Sequence, residues 1–107
     1  TIKGTGLTVD GSGNPVITGY FAGSLDLGGG LLSVGSYNVF LAKYSPTGAW
    51  SWSKNFGGTT TEMGYAVASD STGNVFTTGS FMTSIDLGGG SQLSAGGFDM
   101  YLGKFAP

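Results

Sequence analysis

The chain has no cysteine, no histidine and no arginine. Without the first two, serine–histidine–aspartate and cysteine–histidine catalysis lack their base or nucleophile. Zinc and iron sites lose their usual ligands for the same reason. The missing cysteines also leave no redox signal about compartment. Charge is scarce: 9% of residues carry it, and four lysines against six acids give a net charge of −2. No basic patch can form for a phosphate backbone, so nucleic acid is not an expected partner. No apolar run approaches membrane-spanning length, so no membrane insertion is expected, and no signal peptide is visible. The first residue is Thr1 rather than Met, which points to upstream processing or truncation. A low-charge chain rich in Gly, Ser, Thr and aromatics suits an extracellular or cell-surface bacterial protein.

Glycine, by contrast, is abundant at 22 of 107 residues, about three times ordinary usage and without the period of collagen. Aromatics at 13% and hydrophobics at 39% are enough to bury a core, which argues against disorder. The length suits one small domain.

The chain also repeats itself. Asp10-Gly-Ser-Gly13-Asn14 returns as Asp70-Ser-Thr-Gly73-Asn74, and Ser24-Leu-Asp26-Leu-Gly28-Gly29-Gly30 as Ser84-Ile-Asp86-Leu-Gly88-Gly89-Gly90. Phe40-Leu-Ala-Lys43-Tyr44-Ser-Pro46 returns as Tyr101-Leu-Gly-Lys104-Phe105-Ala-Pro107. The offset is 60 up to Gly30 and 61 beyond it, with Gln92 read as the inserted residue. A period of this size means stacked units, each unable to bury its apolar faces alone.

Within a unit the pattern is of strands. Asp, Gly and Asn at 70–74 supply turn chemistry between a small-residue strand at 65–69 and a β-branched, aromatic strand at 75–81. A third strand covers 98–105. In the first unit the corresponding strands lie near 5–9, 16–21 and 38–44, and Ser45-Pro46-Thr47-Gly48 turns the chain into a fourth near 49–56. No helical periodicity is present. The expected fold is all-β, built of four-stranded antiparallel propeller blades, about one and three-quarter of them. Residues 1–63 form the first blade with its linker, and 64–107 a second lacking its fourth strand. Positions 1–3 and 61–63 read as linkers. Trp50 and Trp52, at i, i+2 spacing, are expected on one face of the outermost strand as inter-blade packing.

These residues resemble the bacterial β-propeller repeat known as the SBBP repeat. Asp70 to Gly79, Ser84 to Gly90 and Asp99 to Phe105 match its D-x-x-G-N-V-[YF]-x-T-G, S-x-D-[LF]-G-G-G and D-[IM]-[FY]-L-x-K-[YF] runs. Asp10 to Gly19, Ser24 to Gly30 and Asn38 to Tyr44 match with Pro15 and Asn38 as departures. The resemblance implies a propeller scaffold in large secreted or surface-associated bacterial proteins. It implies no reaction and brings no catalytic residues.

Pro107 aligns with Pro46, inside the turn that launches the fourth strand. Two blades cannot close a ring, which takes roughly 4 to 8, and the 98–105 strand is left as an open edge. The expected partners are other copies of the chain or further blades of a longer one. The isolated 107-residue chain is not expected to be a stable closed monomer.

The candidate ligand-binding residues are Asp26, Gly28, Gly29, Gly30 and Tyr37, with their counterparts Asp86, Gly88, Gly89, Gly90 and Phe98. The stretches from Ala22 to Asn38 and from Met82 to Asp99 read as excursions at one rim, too long for plain hairpin turns. Their glycines expose backbone N–H groups, and Tyr37 and Phe98 border them as possible sugar-stacking rings. Folding glycines and inter-blade packing are the bland alternatives. Lys43 and Lys104 sit among apolar neighbours and are expected to pair structurally, with Asp10 and Asp70 or with Asp26 and Asp86. Asp10 and Asp70 with Asn14 and Asn74 offer too few oxygens for calcium, and hairpin bonding is the simpler reading. A paired-carboxylate glycosidase at Asp26 and Asp86 conflicts with their recurrence in every unit. No cofactor or metal is expected.

The reading is thus of a non-enzymatic structural or interaction module in a larger extracellular or surface assembly. One alternative is a lectin-like module that binds glycans through the rim loops. Another is a filament or coat subunit built by edge-strand exchange.

Overall fold

The computed structural model describes residues 2–56, 62–86 and 91–105, with side chains described for all of these except 31, 33–36, 83–86 and 91–98. The chain is all-β, and the described residues contain no helix. Seven strands run in order: β1 (Ile2–Val9), β2 (Pro15–Asp26), β3 (Leu31–Tyr44), β4 (Trp50–Phe56), β5 (Glu62–Ser69), β6 (Val75–Asp86) and β7 (Ser91–Phe105). They form two antiparallel meanders, one of four strands in the order β1-β2-β3-β4 and one of three in the order β5-β6-β7.

The turns follow directly from the residues at them. Asp10 Oδ1 accepts the N–H groups of Ser12 (2.9 Å) and Asn14 (3.0 Å), while its Oδ2 accepts Asn14 Nδ2 (3.1 Å). Gly13 takes a φ of 83° that other residues avoid. Asp70, Gly73 (φ 88°) and Asn74 repeat the arrangement. Ser45 closes the β3–β4 turn through its carbonyl to Gly48 N–H (2.9 Å) and its hydroxyl to Ala49 N–H (3.1 Å).

Several expected boundaries move. Ile2, Lys3, Glu62 and Met63 are paired strand residues, because β1 and β5 lie against β2 and β6 from their first residues: Ile2 pairs with Phe21 and Glu62 with Phe81. The rim excursions are paired ribbons. β2 and β3 stay in register out to Asp26 opposite Leu31, and β6 and β7 to Asp86 opposite Ser91. A register shift between Phe21 and Gly23, repeated between Met82 and Ser84, redirects each ribbon. Gln92 lies opposite Ile85 as Leu32 lies opposite Leu25. The extra residue of the second unit is therefore taken up by the irregularity between Leu93 and Phe98, not at Gln92.

The two sheets pack face to face. Val16, Val39, Leu41 and Phe56 of the first sheet form one core with Val75, Phe81 and Tyr101 of the second, and Trp52, Val67 and Phe105 pack on it. Each such side chain stabilises by about 1.5–3 kcal/mol when fully buried. Phe56 and Phe105 stack at 5.4 Å with their rings nearly parallel. β5 runs closest to the first sheet: Thr5 Oγ1 donates to Gly64 O at 2.6 Å, and Thr8 and Ser69 hydroxyls lie 3.4 Å apart.

One packing device occurs in both units. The Phe40 ring lies over Gly19 across the β2–β3 pair, and the Tyr101 ring over Gly79 across β6–β7. A Cβ on Gly79 would lie 2.7 Å from the Tyr101 hydroxyl and run into the Met63 carbonyl. Burial raises the Tyr101 phenol above its ordinary pKa. Gly79→Ala is expected to cost about 1–3 kcal/mol by overpacking. Gly4→Ala, with nothing within 4 Å of the added methyl, should be neutral or stabilise by a few tenths to about 1 kcal/mol. Urea unfolding of the two variants against the parent checks the contrast.

Candidate interaction surface

The expected rim residues prove to be engaged locally where they are described. Asp26 Oδ1 accepts the N–H groups of Gly28 (2.8 Å) and Gly30 (3.3 Å), so these two donors point inward to the carboxylate. Tyr44 donates its hydroxyl to Leu27 O at 2.6 Å. Burial raises the Tyr44 phenol pKa, with the Asp26 charge adding to it. Trp50 covers the glycines: a Cβ on Gly28 would lie 2.8 Å from Trp50 Cβ, and one on Gly29 would run into the indole. Tyr37 meets Tyr20 edge-on at 5.5 Å. Gly88, Gly89 and Gly90, and the side chains of Asp86 and Phe98, lie outside the described residues.

Trp50 and Trp52 do not share a face, contrary to their spacing. A register shift between Lys43 and Tyr44 sets Trp52 opposite Lys43 and Trp50 opposite Tyr44. Neighbours along β3 point to opposite sides of the sheet, so the indoles do too. Trp52 packs on the inter-sheet core with Lys54 Nζ 5.6 Å from its ring. Trp50 lies on the far face. A bulge of one residue is invisible to a spacing argument.

Lys43 meets the expected partner. Its Nζ lies 3.2 Å from Asp10 Oδ2, and both side chains are buried. The matched pair in the second unit does not form. Lys104 is exposed, with Nζ 5.6 Å from the Phe76 ring, and Asp70 bonds Thr72 and Asn74 instead. The difference follows coverage, since the Lys43 face of the first sheet is covered by the second sheet and the Lys104 face is bare.

That asymmetry recurs at other matched positions, although Phe21 and Phe81, and Phe40 and Tyr101, are buried in both units. Leu41 and Val39 are 0% exposed, whereas their counterparts Leu102 and Met100 are 72% and 73% exposed. On the opposite faces the order reverses: Ile2 is 54% exposed and Glu62, its counterpart, fully buried. Strand register assigns the sides. Ile2, Leu7 and Val9 share the outer face of the first sheet with Trp50. Ala66, Ala68, Phe76, Thr78, Met100, Leu102 and Lys104 share the outer face of the second. That second face carries an apolar hollow of ≈ 220 Å³ bordered by Ala66, Ala68, Phe76, Thr78 and Leu102. Sequence reading missed Leu7, Met100 and Leu102, although their repeat counterparts Val67, Val39 and Leu41 were there to mark them as core residues.

Among the described residues no three acidic side chains gather into a metal-holding group. Comparison with models of known families and with curated proteins finds no match.

Asp10 and Asp70 share one pH dependence. The backbone and side chain of Asn14, with Ser12 N–H and Lys43, pull the Asp10 carboxyl from 3.8 to about 2. The side chains of Asn74 and Thr72, with the backbone N–H groups of both, do the same for Asp70. A depressed carboxylate pKa stabilises the fold fully above the unfolded value and loses that contribution as pH falls through the folded one. Stability should therefore drop between about pH 4 and pH 2. Asp70→Asn should lower stability at pH 7 and flatten the acid drop, as read by melting temperature against pH.

Proposed function

We propose that the chain is a non-enzymatic structural and interaction repeat of the bacterial SBBP propeller type, working outside the cell or at its surface by stacking sheets on further units. The observation that supports it most is the burial contrast between matched positions. Leu41 and Val39 are closed over while Leu102 and Met100 stand in solvent, on a repeat whose inner contacts already show what covers them. Exposed contiguous apolar surface of this kind marks an interaction site. The repeat motifs, the two meanders and the low charge support the same reading.

Edge-strand exchange is the second reading, because the described residues place no strand on the outer edge of β7, where β4 lies on β3 in the first sheet. Both readings are association, and both differ from lectin function. Light scattering coupled to size exclusion is expected to give a mass at least twice that of the 10.8 kDa chain, and a glycan array no signal. A monomer throughout the micromolar range, or specific glycan binding lost in Tyr37→Ala, would contradict the proposal.

A further inference from the structure

The contact between the two sheets joins unlike faces of like units. The face of the first sheet that carries Val16, Thr18, Val39, Leu41 and Lys43 meets the face of the second that carries Val75, Phe81 and Tyr101. The contact leaves exposed apolar side chains on both outer faces: Met100 and Leu102 on the second sheet, and Ile2, Leu7 and Val9 of β1 on the first, beside Phe21, Phe40 and Ala42, which are already buried. These exposed positions are repeat counterparts of the two sides of the contact. Phe76, Thr78, Met100, Leu102 and Lys104 stand where Val16, Thr18, Val39, Leu41 and Lys43 stand in the first sheet. Ile2, Leu7 and Val9 stand where Glu62, Val67 and Ser69 stand in the second.

We propose that the exposed face of the second sheet docks the exposed β1 strip on the outer face of the first sheet of a second copy of this chain, as β5 docks within the chain, with Leu7 seated in the apolar hollow. The inference rests on the association reading above and names its partner and geometry. Within the chain, Val67 packs on the cluster that contains Val16 and Leu41. Leu7 is the Val67 counterpart, one methylene larger, and is 65% exposed. Its seat is the hollow where Phe76 and Leu102 replace Val16 and Leu41, and where Ala66 and Ala68 replace Gly6 and Thr8. Val9 replaces Ser69 and Ile2 replaces Glu62, so the docking face is more apolar than the internal one. Docking also covers Lys104, whose amine then leaves the Phe76 ring for Asp70, as Lys43 already lies 3.2 Å from Asp10. An uncovered charge placed between sheets without that partner is costly.

The interface is heterologous, because the two faces that meet are different surfaces of the chain. Such a contact continues into a ring if the rotation per copy closes, and into an open array if it does not. It also makes a sharp test. Leu7→Asp blocks only one end and Leu102→Asp only the other. Both sites are exposed, so neither change burdens the fold of a single chain. Each variant alone should run as the monomer by light scattering, at least 10-fold weaker in association than the parent. An equimolar mixture should give a complex of twice the 10.8 kDa chain mass and no more, since one intact end of each meets the other. Val9→Lys and Met100→Lys provide a second pair with the same expectation. Amine footprinting should show Lys104 reactive in either monomer and protected in the mixture, in the chain that contributes the second sheet.

A parent assembly that Leu7→Asp or Leu102→Asp leaves intact would overturn the head-to-tail contact while leaving association standing. So would folded monomeric variants that fail to pair on mixing. A parent that stays monomeric throughout the concentration range overturns the association reading itself.

Discussion

The approach of β5 to the first sheet is the contact on which the other features depend. β5 is held to the first meander by hydrogen bonds, through Thr5 to Gly64 and the Thr8–Ser69 hydroxyl pair. Backbone must come close for this: a Cβ on Gly64 would lie 2.8 Å from the Gly19 carbonyl. With β5 there, the two inner faces meet and Val16, Val39 and Leu41 close against Val75, Phe81 and Tyr101. Phe21, Phe40 and Ala42 are buried on the outer face of the first sheet, apart from this core. Without the second sheet, Val16, Val39 and Leu41 would face water, and a sheet that leaves such an apolar face wet is not stable.

The same contact sets the electrostatics. Lys43 can be buried only because Asp10 is held rigidly within reach, its carboxylate already fixed by Ser12 and Asn14. Its counterpart Lys104 has an equally fixed Asp70 on its strand-turn neighbour but no cover, and it lies along Phe76 in solvent. One sequence motif thus shows two states of the same lysine, and the state is decided by whether another sheet lies on top.

Much of this was legible in the residues. The Asp-x-x-Gly-Asn turns and the order of the strands follow from turn chemistry and from the repeat itself. Lys43 among apolar neighbours called for a carboxylate, and Asp10 supplies it. The ribbons beyond Phe21 and Met82 were not legible, because Gly, Ser and Asp in Ala-Gly-Ser-Leu-Asp read as loop residues. Pairing, which a single strand does not announce, overrides them. The separation of Trp50 from Trp52 depends on a one-residue bulge that spacing cannot show. Asp26 reads from sequence as either a ligand-facing carboxylate or part of a folded loop, and its Oδ1 accepts the backbone N–H groups of its own turn. Recurrence does not separate the two: a residue that shapes each unit repeats with the unit, just as a binding residue would.

The packing of the second sheet on the first is the central claim, and a disulfide trap tests it most directly. The chain has no cysteine of its own, so Thr8→Cys with Ser69→Cys introduces the only two thiols. Their parent hydroxyls lie 3.4 Å apart across the contact, within reach of a disulfide after small side-chain rotation. Under mild oxidation, mass spectrometry of proteolytic fragments should find one bond within the chain, formed in nearly all molecules. Thiols that stay free, or that join only between chains, would contradict the packing.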